Sequence, residues 1–249
     1  MFPTVQEVKR YSDQMVTGIT VTHNTKSLIQ RAYESVRKFH PSMQVIIIDG
    51  SDMGDPCREY VRSLASPYTI VGLCDNNIGH GRGMDAAIRM CKTDFALIFD
   101  SDIEMLKSPL DIMLSMVEPD TYSVGYLEKT GLDGYEYGAK AHHKNQEYMW
   151  MMHPFFHLLQ VKEYFNYHPY TQHGAPCYKT ALDIHRRGLT DKIFKILPGL
   201  GHTAGKGWCW EPVKPVWVIH DTAGTRNMRR QKGLPEIEGG WDYSPLSEI

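Results

Sequence analysis

Apolar and polar residues alternate in blocks along the first half of the chain, and these blocks predict alternating strands and helices. Four short apolar runs indicate buried strands: "MVTGITVT", "QVIIID", "YTIVGLC" and "FALIF". After the first run, apolar residues recur at helical spacing behind two candidate capping residues, Asn24 and Thr25. These helical positions are Leu28, Ile29, Ala32, Tyr33, Val36 and Phe39.

Two further helices follow the second and third runs. Asp55 and Pro56 have the residue types of an N-cap and a first helical position. The next helix is marked by Met84, Ala87, Ile88 and Cys91. Continuous apolar strands alternating with amphipathic helices predict an α/β fold, with a mostly parallel sheet covered on both faces. Ligands bind such sheets at the carboxyl ends of the strands, where we expect Asp49, Asn77 and Asp100.

The composition is that of an ordinary globular protein. With 249 residues, 42% hydrophobic and 22% charged, the chain can bury the core of one α/β domain. A net charge of −2 argues against a general attraction to nucleic acid or anionic lipid, although "RNMRRQK" is locally basic. The sequence shows no internal repeat and no low-complexity linker.

Cysteine usage and hydropathy predict a cytoplasmic protein. The five cysteines are odd in number and form no C-x-x-C pair, which is typical of reduced cysteines that serve packing. The N-terminus has no apolar signal core, and no window approaches the roughly 20 apolar residues of a membrane span.

The segment "FALIFDSDIEM" places two carboxylates directly after a buried run. One interpretation is that a strand ends there and its acidic residues meet water or cap a helix. The other is a cation site, because residues two apart in an extended segment project to the same side. Asp100 and Asp102 would then offer the hard oxygen ligands that Mg²⁺ or Mn²⁺ prefers.

Four segments carry a resemblance to a known family. "ITVTHN", "IIIDGSD", "NNIGHGRGMDAAI" and "FDSD" resemble, in order and separation, the nucleotide-sugar-binding half of family 2-like glycosyltransferases with the GT-A fold. The match covers about Thr17 to Glu104, and beyond it only "HGAP" and "IHDTAGTR" resemble the family. The resemblance implies a single Rossmann-like domain with a nucleotide-sugar lobe at 1–125 and an acceptor-binding, site-closing lobe at 126–249.

The resemblance also implies a nucleoside pocket. Thr22 and Asn24 lie in the segment that resembles the family's loop under the nucleoside. Asp49 resembles the carboxylate that accepts a hydrogen bond from the base. Here Asp49 directly precedes the "GS" pair, where the family usually has one more residue, so Asp52 is a second candidate. The competing interpretation of Asp49 is a turn at the end of a strand.

The glycine-rich segment after the third strand is expected near the diphosphate. Asn77 and Gly79 match the start of the family's N-x-G motif, and small residues there let the backbone approach a nucleotide. Arg82 either reaches a phosphate or is solvated. The glycine spacing fits neither a P-loop nor a G-x-G-x-x-G turn after the first strand.

The resemblance assigns the acidic pair to metal binding. Asp100-Ser101-Asp102 looks like the D-x-D motif that holds Mn²⁺ or Mg²⁺ against the diphosphate, with Asp100 also a candidate for the ribose. His220 resembles a histidine that completes the metal shell, and Arg226 resembles a phosphate-binding arginine. For Arg226, together with Arg229 and Arg230, the competing interpretation is a solvated basic turn.

Family 2 implies an inverting displacement in which a carboxylate takes the proton of the acceptor hydroxyl. The chain departs from the family because no clear acidic pair follows "QHGAP". Asp183 is the candidate base, His173 and Glu128 are the next ones, and the missing pair keeps a retaining mechanism possible. Trp150, Phe155 or Tyr167 could stack on an acceptor ring.

The sequence therefore predicts a metal-dependent transferase that uses a UDP- or GDP-sugar, with an acceptor that the sequence leaves open. A nucleotidyltransferase is one alternative, but "TVTHNTKS" lacks the glycine-rich basic loop expected after its first strand. The other alternative is a non-catalytic nucleotide-sugar-binding protein, which the missing acidic pair supports.

Overall fold

A computed structural model describes residues 13–132, 147–171, 175–198, 200 and 216–221. In the first half, strands and helices alternate as the apolar pattern predicts. The strands are β1 (Val16–Thr22), β2 (Gln44–Asp49), β3 (Thr69–Leu73) and β4 (Phe95–Phe99), and the helices between them are α1 (Lys26–Phe39), α2 (Pro56–Ser63) and α3 (His80–Met90).

The rest of the chain contributes mostly shorter helices and strands of 3 to 13 residues. It contains β5 (Ile103–Met105), α4 (Leu110–Ser115), β6 (Ser123–Gly131), β7 (Tyr148–Gln160), α5 (Val161–Tyr164), α6 (Tyr178–Arg186), α7 (Thr190–Ile193), β8 (Phe194–Ile196) and β9 (Val218–His220). The aromatic segment from Tyr148 thus begins as a 13-residue strand.

One seven-stranded sheet has the order β3-β2-β1-β4-β7-β6-β8. The first four strands in this order are parallel to each other, and β7 then runs antiparallel to both β4 and β6. The predicted mostly parallel sheet is confirmed for the four strands that the pattern located. The predicted lobe boundary at residue 125 falls inside β6, and the division into lobes stays a prediction.

The core lies on both faces of the sheet because the parallel strands are apolar on both sides. On β2, Ile46 and Ile48 pack on the face that carries α3, whereas Val45 and Ile47 pack with Ile29 of α1 on the other face. This double burial explains why the strands are continuous apolar runs. Their carboxyl ends remain as the polar edge of the sheet.

The predicted start of α2 is confirmed. Asp55 is extended, its side chain accepts a hydrogen bond from Cys57 N at 2.8 Å, and Pro56 takes the first helical position. Thr25 also precedes the first residue of α1, but its hydroxyl bonds to that of Thr22 at 2.8 Å instead of capping the helix.

Among the described residues, no helix combines the length and the apolar character that crossing a membrane requires.

Candidate functional site

The acidic pair lies in the turn between β4 and β5. Asp100 follows the last residue of β4, and its amide donates a hydrogen bond to the carbonyl of Phe155 at 2.8 Å. Asp102 precedes β5 and is buried. The acidic turn is therefore held against β7 at the carboxyl edge of the sheet.

A short antiparallel ribbon brings His220 to this turn. β5 pairs with β9, so that Ile103 lies opposite His220. The amide of Asp221 also donates to the carbonyl of Asp102 at 3.0 Å. His220 is buried, and its ring stacks on that of Phe155 with centroids 4.8 Å apart. These contacts fix the imidazole beside the two carboxylates.

Asp100, Asp102 and His220 form one compact group. Nε2 of His220 lies 3.1 Å from Oδ1 of Asp102 and 3.6 Å from Oδ2 of Asp100. One potential ligand atom from each residue lies within 4.8 Å of the others. Two carboxylates and an imidazole at this spacing suit a divalent cation.

His80 is a neighbour of this group that the sequence did not single out. Its Nε2 lies 3.2 Å from Oδ1 of Asp100. His80 is the first residue of α3, in the glycine-rich segment. Its place inside a motif expected to contact the nucleotide was a signal that could have identified it.

The pKa values in this group shift in opposite directions. Burial alone would raise the pKa of Asp100, but the charges of His80 and His220, with the hydrogen bond from His80, hold it well below its usual range. Burial alone would lower the pKa of His220, but its hydrogen bond to Asp102 and the surrounding carboxylates raise it. These shifts favour the charged forms of Asp100 and His220.

Arg31 ties the acidic turn to the strand that carries His220. Its guanidinium forms an ion pair with Asp221 and donates to the carbonyl of Asp102 at 3.4 Å. Sequence analysis did not identify it, because one arginine on the polar side of an amphipathic helix gives no signal of function.

Asp49 is fully buried at the end of β2. Its Oδ1 accepts from the amide and the hydroxyl of Ser51, at 3.0 and 2.5 Å. Its Oδ2 is buried and has no hydrogen-bond partner in the described part of the chain. The turn interpretation accounts for Oδ1 only, whereas Oδ2 remains an acceptor for a ligand donor.

Asn24 and Asp52 link the ends of β1 and β2. Asn24 donates from its side-chain nitrogen to Asp52 Oδ2 at 2.7 Å, and its Oδ1 accepts from the Asp52 amide at 3.0 Å. Asn24 has a φ of 55°, a conformation that asparagine tolerates better than most residues. Thr22 is buried and bonds to Thr25. These contacts shape the loop, while the nucleoside roles of Thr22 and Asn24 stay predictions.

The glycine-rich segment packs against the end of β2. Asn77 Oδ1 accepts from the Gly79 amide at 2.9 Å, and Gly79 has a φ of 82°, which favours glycine. A Cβ at Gly50 would lie 3.1 Å from the Asn77 Cα. Gly50 thus permits this close approach. Arg82 is exposed on the first turn of α3.

Arg58 is a buried residue of this region that the sequence did not reveal. One of its terminal nitrogens donates to the carbonyls of Ser51 and Cys74, at 3.0 and 2.7 Å. These carbonyls follow β2 and β3, so Arg58 fixes the loops on both sides of Asp49.

Glu128 and His153 form a second polar pair beside the metal-ligand candidates. Oε2 of Glu128 lies 3.5 Å from Nε2 of His153. The His153 ring lies 5.2 Å from that of Phe155 and 6.1 Å from that of His220, between centroids. Phe155 is fully buried, so its ring serves the core and is not available to an acceptor.

Asp183, the predicted base, lies on α6. Its Oδ1 accepts from Nε of Arg187 at 2.8 Å, and its Oδ2 accepts from a terminal nitrogen of Arg187 at 3.0 Å and from the His168 amide at 3.2 Å. Its role as base stays a prediction.

The described residues do not include four of the predicted site residues: His173, Arg226, Arg229 and Arg230.

Comparison with known proteins finds a family model that matches about two thirds of the chain. The model of glycosyl transferase family 2 matches residues 17–184. No curated protein sequence matches the chain. The matched region contains β1 to β4 and the acidic turn, and it ends within α6.

Solved structures resemble the fold. The chain resembles the mannosyltransferase PcManGT from Pyrobaculum calidifontis, in complex with GDP-Man and Mn²⁺, with a TM-score of 0.54 and 13% identity over 74% of this chain and 55% of that one. It resembles S. aureus TarS 1-349, in complex with UDP-GlcNAc, with a TM-score of 0.53 and 14% identity over 83% of this chain and 58% of that one. Both are GT-A structures, and the chain spans little more than half of each.

Proposed function

Because the chain belongs to glycosyl transferase family 2, we propose that it transfers a sugar from a nucleotide-sugar donor to an acceptor hydroxyl with the help of a divalent cation. The observation that carries this proposal is the meeting of Asp100, Asp102 and His220 at the carboxyl edge of the sheet. Ligands of open α/β sheets bind at that edge.

The residues fit Mn²⁺ or Mg²⁺. Asp100 and Asp102 supply hard oxygen ligands, and an imidazole ligand is more suited to Mn²⁺. Oδ1 of Asp100 is buried and faces Nε2 of His80 at 3.2 Å, which leaves this carboxylate oxygen a further lone pair for a cation. When bound, the cation would neutralise charge that grows on the diphosphate as the glycosidic bond breaks.

The nucleoside would lie over the ends of β1 and β2. Asp49 Oδ2 would accept a hydrogen bond from an N–H of the base, since it is buried and lacks a partner within the described residues. Ser51 holds the other carboxylate oxygen and thereby orients this acceptor. Asn77 and Gly79 would bring the backbone near the diphosphate, with Arg82 at its exposed side.

The donor is a UDP- or GDP-sugar in this proposal. A GDP-sugar and a UDP-sugar are present in the two similar structures, which supports testing both classes first. The proposed displacement is inverting: the acceptor oxygen attacks the anomeric carbon as the diphosphate departs on the other side.

A thermal-shift screen with and without Mn²⁺ tests donor binding. A ligand at 100 times its Kd stabilises the folded chain by about 2.7 kcal/mol. We expect stabilisation by one class of nucleotide sugar in the presence of Mn²⁺, followed by slow release of free sugar. Binding without any sugar release would favour the alternative of a non-catalytic nucleotide-sugar-binding protein.

A further inference from the structure

We propose that Glu128 is the general base that removes the proton of the acceptor hydroxyl, and that His153 holds it in position. This inference rests on the proposed function, because a base is needed only if the chain transfers a sugar. It differs from the assignment of the base to Asp183.

Glu128 is linked to the candidate metal site through His153. It belongs to β6, and its carboxylate faces His153 of the neighbouring strand β7 at 3.5 Å. The ring of His153 in turn lies 6.1 Å from that of His220, between centroids. The Glu128 side chain is 20% exposed, so a solvent-borne hydroxyl can reach it.

Hydrogen bonding fixes the roles of the two members of this pair. Nδ1 of His153 accepts a hydrogen bond from the amide of Phe155 at 3.2 Å. A neutral imidazole carries one proton, so that proton is on Nε2, the nitrogen that faces Glu128. In this arrangement His153 has no free lone pair with which to act as a base. It donates towards Glu128 and leaves the carboxylate as the proton acceptor.

Four other acidic residues have roles or partners of their own. Asp100 and Asp102 are the candidate cation ligands, and Asp221 forms an ion pair with Arg31. Asp183 has both oxygens bound by Arg187, so a proton could reach it only after that ion pair opened. Geometry therefore favours Glu128 over Asp183.

The proposed step is balanced within the donor and the acceptor. The acceptor O–H bond breaks, and its proton moves to a carboxylate oxygen of Glu128. The acceptor oxygen forms a bond to the anomeric carbon. The bond from that carbon to the diphosphate oxygen breaks, and its electron pair leaves with the diphosphate. The configuration at the anomeric carbon inverts.

The test uses UDP-GlcNAc or GDP-mannose, whichever stabilises the chain with Mn²⁺, and two nucleophiles. Water must lose a proton as it attacks, whereas azide has none to lose. Glu128→Gln should retain donor binding, lower donor hydrolysis about 10²–10⁴-fold and keep the formation of glycosyl azide. The matched control Glu59→Gln, at an exposed position on α2, should hydrolyse the donor at the wild-type rate. Asp183→Asn tests the competing assignment of the base.

His153 is tested as a positioning residue by a pair of variants. His153→Gln keeps an N–H donor that can reach Glu128, whereas His153→Leu removes it. We expect His153→Leu to lower kcat for hydrolysis with little change in KM, and His153→Gln to restore a large part of kcat.

The possible outcomes separate this inference from the proposed function. Wild-type hydrolysis by Glu128→Gln, or a selective loss of hydrolysis in Asp183→Asn, would overturn the role of Glu128 and leave the transferase proposal standing. Loss of donor binding and azide reaction together in Glu128→Gln would also overturn it, since that pattern marks a structural residue. A wild-type chain that binds neither donor with Mn²⁺ would contradict the proposed function and the inference with it.

Discussion

Asp102 and His220 meet across the β5–β9 ribbon, where Oδ1 of the carboxylate lies 3.1 Å from Nε2 of the imidazole. Asp102 lies near the middle of the described part of the chain, and His220 lies near its end. Their contact defines the candidate metal site, and the strand pairing that produces it also holds the backbone of Asp221 against Asp102.

Replacing His220 should weaken metal-dependent donor binding without abolishing it. In His220→Ala, the two carboxylates and the diphosphate would still hold a cation, but the imidazole that favours Mn²⁺ over Mg²⁺ is lost. We expect weaker binding of the donor with Mn²⁺ and a relative shift of preference towards Mg²⁺, measured by calorimetry with each ion. His185→Ala, at the C-terminal end of α6, is the control. Unchanged Mn²⁺ preference in a folded His220→Ala would remove the histidine from the ligand set.

Replacing Asp49 should weaken nucleotide binding while leaving its metal dependence intact. In Asp49→Asn, the side chain can still accept from Ser51 through its carbonyl, and the buried Oδ2 becomes an NH₂ group that repels an N–H donor. Loss of a hydrogen bond to a charged group predicts weaker binding by about 1.5–3 kcal/mol. UDP and GDP titrations measure this change.

Asp52→Asn is the matched control for the Asp49 variant. Asp52 is exposed, and its side chain accepts a hydrogen bond from the side chain of Asn24. We expect its effect on nucleotide binding to be small. A larger effect from Asp52→Asn than from Asp49→Asn would move the base-binding role to Asp52.

His157 should make the stability of the fold fall in mild acid. Burial lowers the pKa of His157 to about 4, while in the unfolded chain it is near 6.5. The unfolded state therefore binds more protons than the folded state between these pH values. The free energy of unfolding consequently rises with pH across that window, and the fold becomes less stable as the pH falls through it. The shift corresponds to a decrease of about 3 kcal/mol in the free energy of unfolding between pH 7 and pH 4.

Urea unfolding of the wild type and of His157→Gln at several pH values measures this effect. His157 uses both nitrogens, accepting from Tyr170 and donating to the carbonyl of His153. The variant should be less stable at pH 7 but less sensitive to acid between pH 7 and pH 5. An equal acid sensitivity in both proteins would show that His157 is not the group responsible.

The apolar pattern predicted the parallel half of the fold because its strands are buried on both faces. β2 and β4 have the predicted bounds, and α2 begins at Asp55 and Pro56 as its capping residues indicated. The antiparallel half was not resolved into elements, because the aromatic segment of β7 is apolar without alternation. Such a run does not distinguish a strand from a buried helix.

The residues of the candidate site were predictable where they belong to a local sequence pattern. Asp100 and Asp102 are two residues apart, and His220 follows an apolar run, so all three residues could be found from the sequence. Arg31 and His153 join the site only through tertiary packing, whereas His80 lies in the glycine-rich motif. The pairing of β6 with β7 brings Glu128 to His153, and no local pattern encodes that contact.

Donor binding by Asp102→Ala tests the central claim most directly. Calorimetric titration of UDP-GlcNAc and GDP-mannose, with Mn²⁺ and with EDTA, would be compared for the wild type, Asp102→Ala and the control Asp111→Ala, whose aspartate is exposed on α4. We predict that the wild type and Asp111→Ala bind one donor class only with Mn²⁺, and that Asp102→Ala loses this binding while remaining folded. Binding of equal strength with EDTA, or by Asp102→Ala with Mn²⁺, would contradict a metal-dependent nucleotide-sugar site at Asp102 and His220.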